Sequence, residues 1–247
     1  MSLKPKFSII TITFNAAQVI EPTLKSVREQ SYTNYEYLLI DGGSTDDTVA
    51  RAKASGIEFA HIVSERDNGL YDAMNKGIVL ATGDYLCFLN AGDAFYAPDT
   101  LQTIANAAIA NDTLPCVLYG ETAEVDDDRN FVRMRRLKAP ERLTWKSFRS
   151  GMLVCHQAFY ARRDIVPMYD LKYRLSSDVD WCIKVMKKSS KLVNVNAVVV
   201  NYLQNGLSLQ RHRESLKERF RIMSKHYGLL PTIARHLWFV VRAVIKK

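Results

Sequence analysis

Three acidic residues stand where predicted strands end: Asp41, Asp67 and Asp93. Asp41 follows the apolar run YEYLLI and precedes two glycines, and Asp93 closes the sequence GDYLCFLNAGD. A single aspartate before a glycine is more often a turn residue than a site residue. In a doubly wound sheet, however, the loops at the carboxyl ends of the strands converge on one crevice. Carboxylates that share a crevice repel one another unless a cation or a donor neutralises them, so we expect a divalent metal with phosphate there.

The stretches around these aspartates predict alternating strands and helices. Phe7 to Phe14 is a β-branched, apolar run without a helical period, which is typical of a buried strand. Between Leu70 and Ala81 the apolar residues recur at the spacing of one helical face. We predict further strands at 35–40, 57–63 and 85–89 and helices at 18–30 and 44–54, the last opened by a capping box of Ser44 and Asp47. The alternation predicts an α/β fold with a Rossmann-like, mostly parallel sheet flanked by helices.

The second half of the chain follows a looser pattern. Apolar runs predict strands at 116–119 and 192–203, three aspartates at 126–128 predict a hairpin tip, and 178–188 predicts a helix. Neither a linker nor a repeat divides the sequence. We therefore predict one domain over 1–210, with halves at 1–112 and 113–210, followed by basic C-terminal helices at 211–247.

The composition is that of a globular protein. Of the 247 residues 47% are apolar, and no stretch reaches the roughly 20 apolar residues that a membrane-spanning helix needs. The N-terminus lacks the basic-then-apolar pattern of a secretion signal, so we expect a cytoplasmic protein. The four cysteines are far apart and form no C-x-x-C pair, which indicates reduced thiols and no zinc site.

The net charge of +8 lies in the C-terminal part of the chain. From Arg211 to Lys247 there are 10 lysines and arginines against 2 acidic residues, whereas residues 1–210 contain 24 of each. Anionic lipid and nucleic acid both attract such a tail. Trp238 and Phe239 are flanked by basic residues, a pattern typical of an interfacial helix on an anionic membrane, and we expect no nucleic-acid partner. A helix packed on the domain, or an oligomer contact, explains the pattern equally well.

The loops after the strands lack three common site motifs. There is no G-x-x-x-x-G-K-[ST] phosphate loop, no G-x-G-x-x-G after the first strand and no G-x-S-x-G elbow. These absences disfavour P-loop proteins, dinucleotide-binding folds and α/β-hydrolases.

Four stretches resemble the family 2 glycosyltransferases, which have the GT-A fold. They are FSIITITFN (7–15), LLIDGGSTDDT (38–48), SERDNGLYDAMNKGIVLATGDYLCFLNAGD (64–93) and LSSDVDW (175–181). The third is most similar to the branch that builds bacterial surface polysaccharides. The resemblance implies an inverting enzyme that transfers a sugar from a nucleotide-sugar donor, in particular a UDP-sugar, to a glycan or lipid-linked acceptor. The residues that it places at the donor are Thr11, Thr13 and Phe14 in the base and ribose pocket, Asp41 on the base, and Asp67 and Asn75 beside the donor.

The expected metal site departs from the family pattern. Where the family has D-x-D, this chain has Asn90-Ala91-Gly92, and only the next residue, Asp93, is acidic. By the resemblance, Asp93 would hold Mn²⁺ or Mg²⁺, which takes up negative charge on the leaving diphosphate. Asn90 would hydrogen-bond a ribose hydroxyl or a water. As an edge-loop carboxylate, Asp93 is expected to contribute little to stability.

An inverting transfer is a single displacement and needs a base for the acceptor hydroxyl. Asp178 and Asp180 begin a predicted helix where the family has its base, although Ser177 replaces the usual glutamate before it. Two residues so close on a helix point to different sides, so we predict Asp178 as the base and Asp180 as structural; a simple helix N-cap is the alternative. His156 and Arg211 are candidates for acceptor or diphosphate contact, but structural roles explain them as well.

Two other functions stay open at this point. A nucleotidyltransferase also combines a nucleotide-binding α/β sheet with a metal, but it should carry a glycine-rich basic loop where this chain has NAAQVIEP. A non-catalytic nucleotide-sugar binder would fit the incomplete D-x-D. Hydrolysis of the donor separates an enzyme from a binder, since a binder shows none.

Overall fold

The computed structural model describes residues 4–204 and 211–245. Within these ranges nine strands form one sheet. The strands are β1 (Phe7–Thr13), β2 (Tyr35–Asp41), β3 (His61–Ser64), β4 (Tyr85–Phe88), β5 (Ala94–Phe95), β6 (Val117–Val125), β7 (Phe131–Met134), β8 (Phe159–Arg162) and β9 (Leu192–Leu203). The α-helices are α1 (Ile20–Arg28), α2 (Thr48–Ala54), α3 (Leu70–Leu80), α4 (Thr100–Ile109), α5 (Ser177–Lys188), α6 (His212–Tyr227) and α7 (Leu229–Ile245).

The strand order is β3-β2-β1-β4-β8-β6-β9-β5, and β7 pairs with β6. Strands β1 to β4 are parallel to one another. Because β8 is antiparallel to both β4 and β6, and β9 is parallel to β6, six of the nine strands run in one direction. The predicted α/β fold with a mostly parallel sheet is confirmed.

Strand β1 lies in the middle of the parallel half, and all seven of its residues are buried. It pairs with β2 on one side and with β4 on the other. Helix α3 packs closely on it: a Cβ added to Gly77 would lie 2.6 Å from Cγ2 of Ile10. Burial on both sheet faces explains the unbroken apolar run, and the pairing brings the carboxyl ends of β1, β2 and β4 to one edge.

Three elements of the first half are at least three residues shorter than predicted, and helix α1 is one of them, since it covers only Ile20–Arg28. The third strand is confined to His61–Ser64, and helix α2 begins at Thr48. The expected capping box is wrong, because the helix begins at Thr48 and the hydroxyl oxygen of Ser44 accepts the N–H of Asn15, at 2.8 Å, instead of a helix N–H. The residues that precede Thr48 therefore belong to the loop at the edge of the sheet.

The second half joins the same sheet through β8, which the sequence analysis did not predict. Its four residues lie between β4 and β6. The predicted hairpin is confirmed by the pairing of β6 with β7, and the predicted strand at 192–203 is confirmed by β9. Strand β6 is longer than expected, since it pairs with β7, β8 and β9 along its length.

The two predicted C-terminal helices are present as α6 and α7. Helix α6 packs on the domain, because Tyr227 is buried, stacks on Trp145 with ring centroids 5.5 Å apart and donates a hydrogen bond to the Trp145 carbonyl. In the first ten residues of α7, by contrast, Leu230, Leu237 and Trp238 are more than half exposed. Within the described part of the chain, none of the helices has the length and apolar character needed to cross a membrane.

Candidate active site

A cavity of about 920 Å³ opens at the carboxyl ends of β1 and β4. One side is formed by the residues that follow these strands and by the first turns of α3; the other is formed by the segments near residues 155 and 175 and by the end of β9. The predicted site residues in its wall are Thr13, Phe14, Asp67, Asn90, Asp93, His156 and Asp178. Within residues 4–204 and 211–245, the predicted residues outside the wall are Thr11, Asp41, Asn75 and Arg211.

Asp178 lies in the first turn of α5 and borders the cavity. Its Oδ1 accepts a hydrogen bond from the hydroxyl of Tyr71, at 3.0 Å, and another from the backbone N–H of Val179, at 2.9 Å. Its Oδ2 accepts no hydrogen bond from the described residues. One oxygen therefore fixes the side chain, and the other is available to a substrate proton.

Asp180 has the structural role that the sequence predicted. Its side chain is 1% exposed, and it contacts Lys184 at 2.5 Å, His226 at 2.7 Å and Lys225 at 3.3 Å. Although burial alone would raise the pKa of Asp180, the hydrogen bonds and nearby lysines hold it far below its usual range. Since two of its partners lie on α6, this carboxylate joins α5 to the C-terminal helices.

Asp93 is buried and not on an exposed edge loop, so the premise behind its expected small contribution to stability is wrong. It precedes β5 and is only 4% exposed. Its carboxylate accepts hydrogen bonds from the Gln157 amide, at 2.7 Å, and from the N–H of Leu203, at 3.0 Å. Burial raises the pKa of Asp93 to about 7, against the opposing effect of these hydrogen bonds. The residue ties the end of β9 to the loop after β4.

The donor atoms near Asp93 suit a hard divalent cation. The Oδ1 of Asn90 is buried and lacks a hydrogen-bond partner in the described structure. The two oxygens of Asp93 each accept one hydrogen bond and keep further lone pairs. Carboxylate and amide oxygens are ligands of Mn²⁺ and Mg²⁺. The described residues contain no cluster of three or more His, Cys, Asp or Glu that could hold a metal, so other ligands would come from substrate and water.

The residues predicted for the base and ribose pocket divide into two sets. Thr11 is fully buried beneath the cavity, where its hydroxyl bonds to the carbonyl of Leu89 at 2.7 Å and to the hydroxyl of Tyr37 at 2.9 Å. Thr13 and Phe14, by contrast, line the cavity. The Thr13 Oγ1 is buried without a partner among the described residues, and the Phe14 side chain is 63% exposed. Thr11 therefore supports the pocket, and its neighbours form the wall.

Asp41 organises the loop after β2. Its carboxylate accepts hydrogen bonds from the N–H groups of Gly43 and Ser44, at 3.1 and 2.9 Å, from the Ser44 hydroxyl and from the Ser64 hydroxyl at 2.7 Å. The side chain is 1% exposed. In this structure the acceptor capacity of Asp41 is directed at its own loop.

Asp67 reaches the cavity because Gly42 leaves room for it. A Cβ at position 42 would lie 2.5 Å from Oδ2 of Asp67. The other carboxylate oxygen accepts the N–H of Gly69 at 2.8 Å, which fixes the turn into α3. Asp67 therefore both stabilises the turn and lines the cavity.

Asn75 and His156 both support the segment around Tyr169. The Asn75 amide bonds to the Tyr169 carbonyl at 3.1 Å and accepts the Tyr169 N–H at 2.7 Å. His156 Nε2 lies 2.7 Å from the Tyr169 hydroxyl, and burial lowers the pKa of His156. The Tyr169 ring stacks on Tyr71 and on Trp181, with centroids 5.4 and 5.0 Å apart. These contacts fasten the second half to α3.

Arg211 lies at the start of α6 with an exposed side chain that pairs with Glu214. The preceding residues 205–210 lie outside the described structure, and the contact of Arg211 with a diphosphate or acceptor stays a prediction.

The sequence analysis missed Tyr71 and all of the arginines in the wall. Tyr71 lies within a helical stretch, and only the fold brings its hydroxyl to a carboxylate 107 positions away. No local pattern distinguishes these arginines from surface ones. They are Arg66, Arg135, Arg174 and Arg219.

The family model described as Glycosyl transferase family 2 matches residues 8–166. The chain belongs to this family. The PGL/p-HBAD biosynthesis glycosyltransferase of Mycobacterium tuberculosis is 35% identical to it over 213 residues, which cover 82% of this chain and 78% of the relative. The family that the sequence motifs indicated is thereby confirmed.

Two solved structures have the fold of this family 2 glycosyltransferase. S. aureus TarS 1–349 in complex with UDP matches with a TM-score of 0.69 and 18% identity, over 89% of this chain and 64% of that one. Glucosyl-3-phosphoglycerate synthase from Mycobacterium tuberculosis, in complex with Mn²⁺, UDP and glucosyl-3-phosphoglycerate, matches with a TM-score of 0.61 and 18% identity, over 89% and 79%. At these identities the likeness concerns the fold, and it agrees with the expected GT-A architecture.

Proposed function

We propose that this glycosyltransferase is an inverting enzyme that transfers a sugar from a UDP-sugar to a glycan or lipid-linked acceptor during synthesis of a bacterial surface polysaccharide or glycolipid. The proposal rests on the position and the hydrogen bonding of the Asp178 carboxylate. This carboxylate borders the cavity, is held through Oδ1 and has Oδ2 unpaired among the described residues. A single displacement requires one such base.

The donor would occupy the side of the cavity at the ends of β1 and β4. Thr13 Oγ1 and Asn90 Oδ1 are buried without a partner in the described chain, and buried polar atoms of this kind are normally satisfied by a ligand or water. The exposed ring of Phe14 offers an apolar face to a base. The UDP complex of TarS supports a uridine nucleotide as the donor.

A divalent cation, Mn²⁺ or Mg²⁺, would be held by Asp93 and Asn90. When bound, it neutralises negative charge that develops on the leaving diphosphate. The Mn²⁺ complex of glucosyl-3-phosphoglycerate synthase supports this assignment. The contribution of the chain is to hold the two oxygen donors in place: Gln157 and the N–H of Leu203 fix Asp93, and β4 leads directly to Asn90.

Asp178 would accept the proton of the acceptor hydroxyl as that oxygen attacks the sugar and the bond to the diphosphate breaks on the opposite face. Tyr71 and Val179 orient the carboxylate through Oδ1. The proton goes to Oδ2, and the electron pair of the breaking bond goes to the diphosphate. Transfer of this kind by a positioned base contributes about 10²–10⁴ in rate.

The test compares Asp178→Asn with Asp180→Asn, after a panel of UDP-sugars with mass-spectrometric readout has identified the donor. We expect Asp178→Asn to keep its UDP affinity and to lose transfer by about 10²–10⁴-fold. Asp180→Asn should lose about 3 kcal/mol of stability, because buried ion pairs are broken, and keep turnover while folded. An NMR spectrum of the product should show inverted anomeric configuration. Near-normal transfer by Asp178→Asn would overturn the assignment.

A lipid-linked acceptor would be reached from a membrane surface. The exposed apolar side chains Leu230, Leu237 and Trp238 share α7 with the exposed Arg235. Such a helix suits the interface of an anionic leaflet. We therefore propose that the enzyme associates peripherally with the cytoplasmic face of the cell membrane through α7.

A further inference from the structure

Helix α6 places an arginine without a partner in the wall of the cavity. The Nε of Arg219 is buried and has no hydrogen-bond partner, and its guanidinium forms no hydrogen bond or ion pair with the described residues. A buried N–H group without a partner costs roughly 1–3 kcal/mol, and more when it carries charge. An acceptor in the cavity would satisfy this N–H group, and one with negative charge would also neutralise the guanidinium.

The position of Arg219 is fixed by its neighbour in the helix. Glu218 accepts the backbone N–H groups of Arg174, at 2.9 Å, and Leu175, at 2.8 Å. The next residue after Leu175, Ser176, also contacts α6, since its hydroxyl lies 3.0 Å from that of Ser215. Helix α6 is thus fastened to the segment that leads directly into Asp178.

Arg174 adds a second cation to the same wall. Its side chain is exposed, borders the cavity and pairs with no carboxylate of the described residues. Glu218 is engaged by two backbone N–H groups, and Oδ1 of Asp178 by Tyr71 and Val179. The other oxygen of Asp178 forms no ion pair with either arginine. Guanidinium groups bind phosphate well, so two arginines without acidic partners in the wall of one cavity suit a phosphate ligand.

We propose that Arg219 and Arg174 form a phosphate-binding site beside Asp178. The proposal rests on the function proposed above and deepens it, since the phosphate would belong to a substrate of the transfer. Two sources share this chemistry: the diphosphate of the donor and a diphosphate that carries a lipid-linked acceptor. In either case α6, which lies beyond the residues 8–166 matched by the family model, would contribute directly to substrate binding.

Equilibrium binding to the full chain tests the site, with Arg219→Gln and Arg174→Gln as variants and Arg221→Gln, exposed on the same helix, as the control. UDP and uridine are titrated in the first arm, and farnesyl diphosphate in the presence of saturating UDP in the second. If the donor supplies the phosphate, each variant should weaken UDP about tenfold and leave uridine unchanged, since a charge-assisted hydrogen bond is lost. If the acceptor supplies it, UDP affinity should persist while farnesyl diphosphate binds about tenfold more weakly.

Affinities of both variants within twofold of the wild type in both arms would overturn the proposal. Should Arg219→Gln fail to fold, Arg174→Gln decides alone, because its exposed side chain contributes little to packing. Neither arm requires sugar transfer. Failure of the base assignment, seen as turnover in Asp178→Asn, is therefore distinguished from failure of the phosphate site.

Discussion

The hydroxyl of Tyr71 donates a 3.0 Å hydrogen bond to Oδ1 of Asp178, across 107 residues of sequence. Tyr71 belongs to α3 and Asp178 to α5, so the proposed base is held by a residue from the other half of the domain. The Tyr71 ring stacks on Tyr169, which itself stacks on Trp181. The carboxylate is therefore positioned by a rigid aromatic column as well as by its own helix.

Removal of the Tyr71 hydroxyl should impair catalysis more than binding. We expect Tyr71→Phe to lower kcat about tenfold, because a hydrogen bond to a charged group contributes roughly 1.5–3 kcal/mol, and to leave the KM for the donor unchanged. Tyr169→Phe is the matched control, since it removes a hydroxyl from the same column but leaves the bond to Asp178 intact. Equal losses of kcat in both variants would show that the column matters only for packing.

Asp93→Asn should affect both metal response and stability. Its carboxylate is buried and accepts hydrogen bonds from Gln157 and Leu203, so we expect the free energy of unfolding to fall by about 1–3 kcal/mol. In calorimetric titrations of the variant, Mn²⁺ should no longer increase the affinity for UDP. Asp99→Asn, exposed at the start of α4, serves as the control. An unchanged Mn²⁺ effect in Asp93→Asn would refute the metal assignment.

Glu36 should make stability depend on pH in the acid range. Its carboxylate accepts hydrogen bonds from the side chains of Ser8, Lys6 and Thr82, at 2.6, 2.8 and 2.5 Å. Burial acts to raise the pKa of Glu36, but these bonds lower it to about 2. Because this pKa is lower in the folded than in the unfolded state, the stabilisation is present above the unfolded value of 4.5 and is lost as the pH falls toward 2.

Glu36→Gln should therefore reduce the free energy of unfolding at pH 7 by about 2–3 kcal/mol. Urea denaturation at several pH values should show the difference from the wild type shrinking between about pH 5 and about pH 3. Glu58→Gln, on an exposed side chain, should show no such trend. A difference that stays constant with pH would mean that the network does not depend on the charge of Glu36.

The exposed face of α7 should bind anionic vesicles. We expect Leu237→Ser with Trp238→Ser to reduce sedimentation with phosphatidylglycerol vesicles, and added salt to weaken the binding of the wild type. Met168→Ser with Leu171→Ser removes a similarly exposed apolar pair elsewhere on the surface. Binding that responds equally to both pairs, or to neither, would end the membrane proposal.

The sequence was sufficient for elements whose burial is continuous. Strand β1 is buried along its whole length, so its local pattern and tertiary environment agree. Strand β9 was also predicted from its largely apolar sequence, although only Val199 and Val200 of its residues are buried. Strand β8 was missed because its four residues become a strand only by pairing with β4 and β6. The Ser44 capping box failed because the hydroxyl of Ser44 accepts the N–H of Asn15 and donates to Asp41, both distant from the start of α2.

The candidate site was predictable as a set of residues at one sheet edge, but its internal hydrogen bonding was not. The burial of Asp93 depends on Gln157 and Leu203, which follow it by 64 and 110 residues. Thr11 and Thr13 are the same residue type and lie on the same face of β1, but only Thr13 is at the carboxyl end of the strand, where the cavity opens. Arg219 was not predicted in the cavity wall, because it lies on α6, which the sequence analysis treated as part of a separate C-terminal extension.

The side-chain contacts that cross between the predicted halves at the site include Tyr71 with Asp178, Asn75 with Tyr169, and Asp93 with Gln157. A chimaera that exchanges residues 113–210 between relatives would inherit only one partner of each pair. Such hybrids should be inactive unless the partner residues within 1–112 are exchanged as well. Exchange of residues 113–210 alone is therefore not expected to give an active hybrid, and relatives that differ in one partner of a pair should differ in the other partner as well.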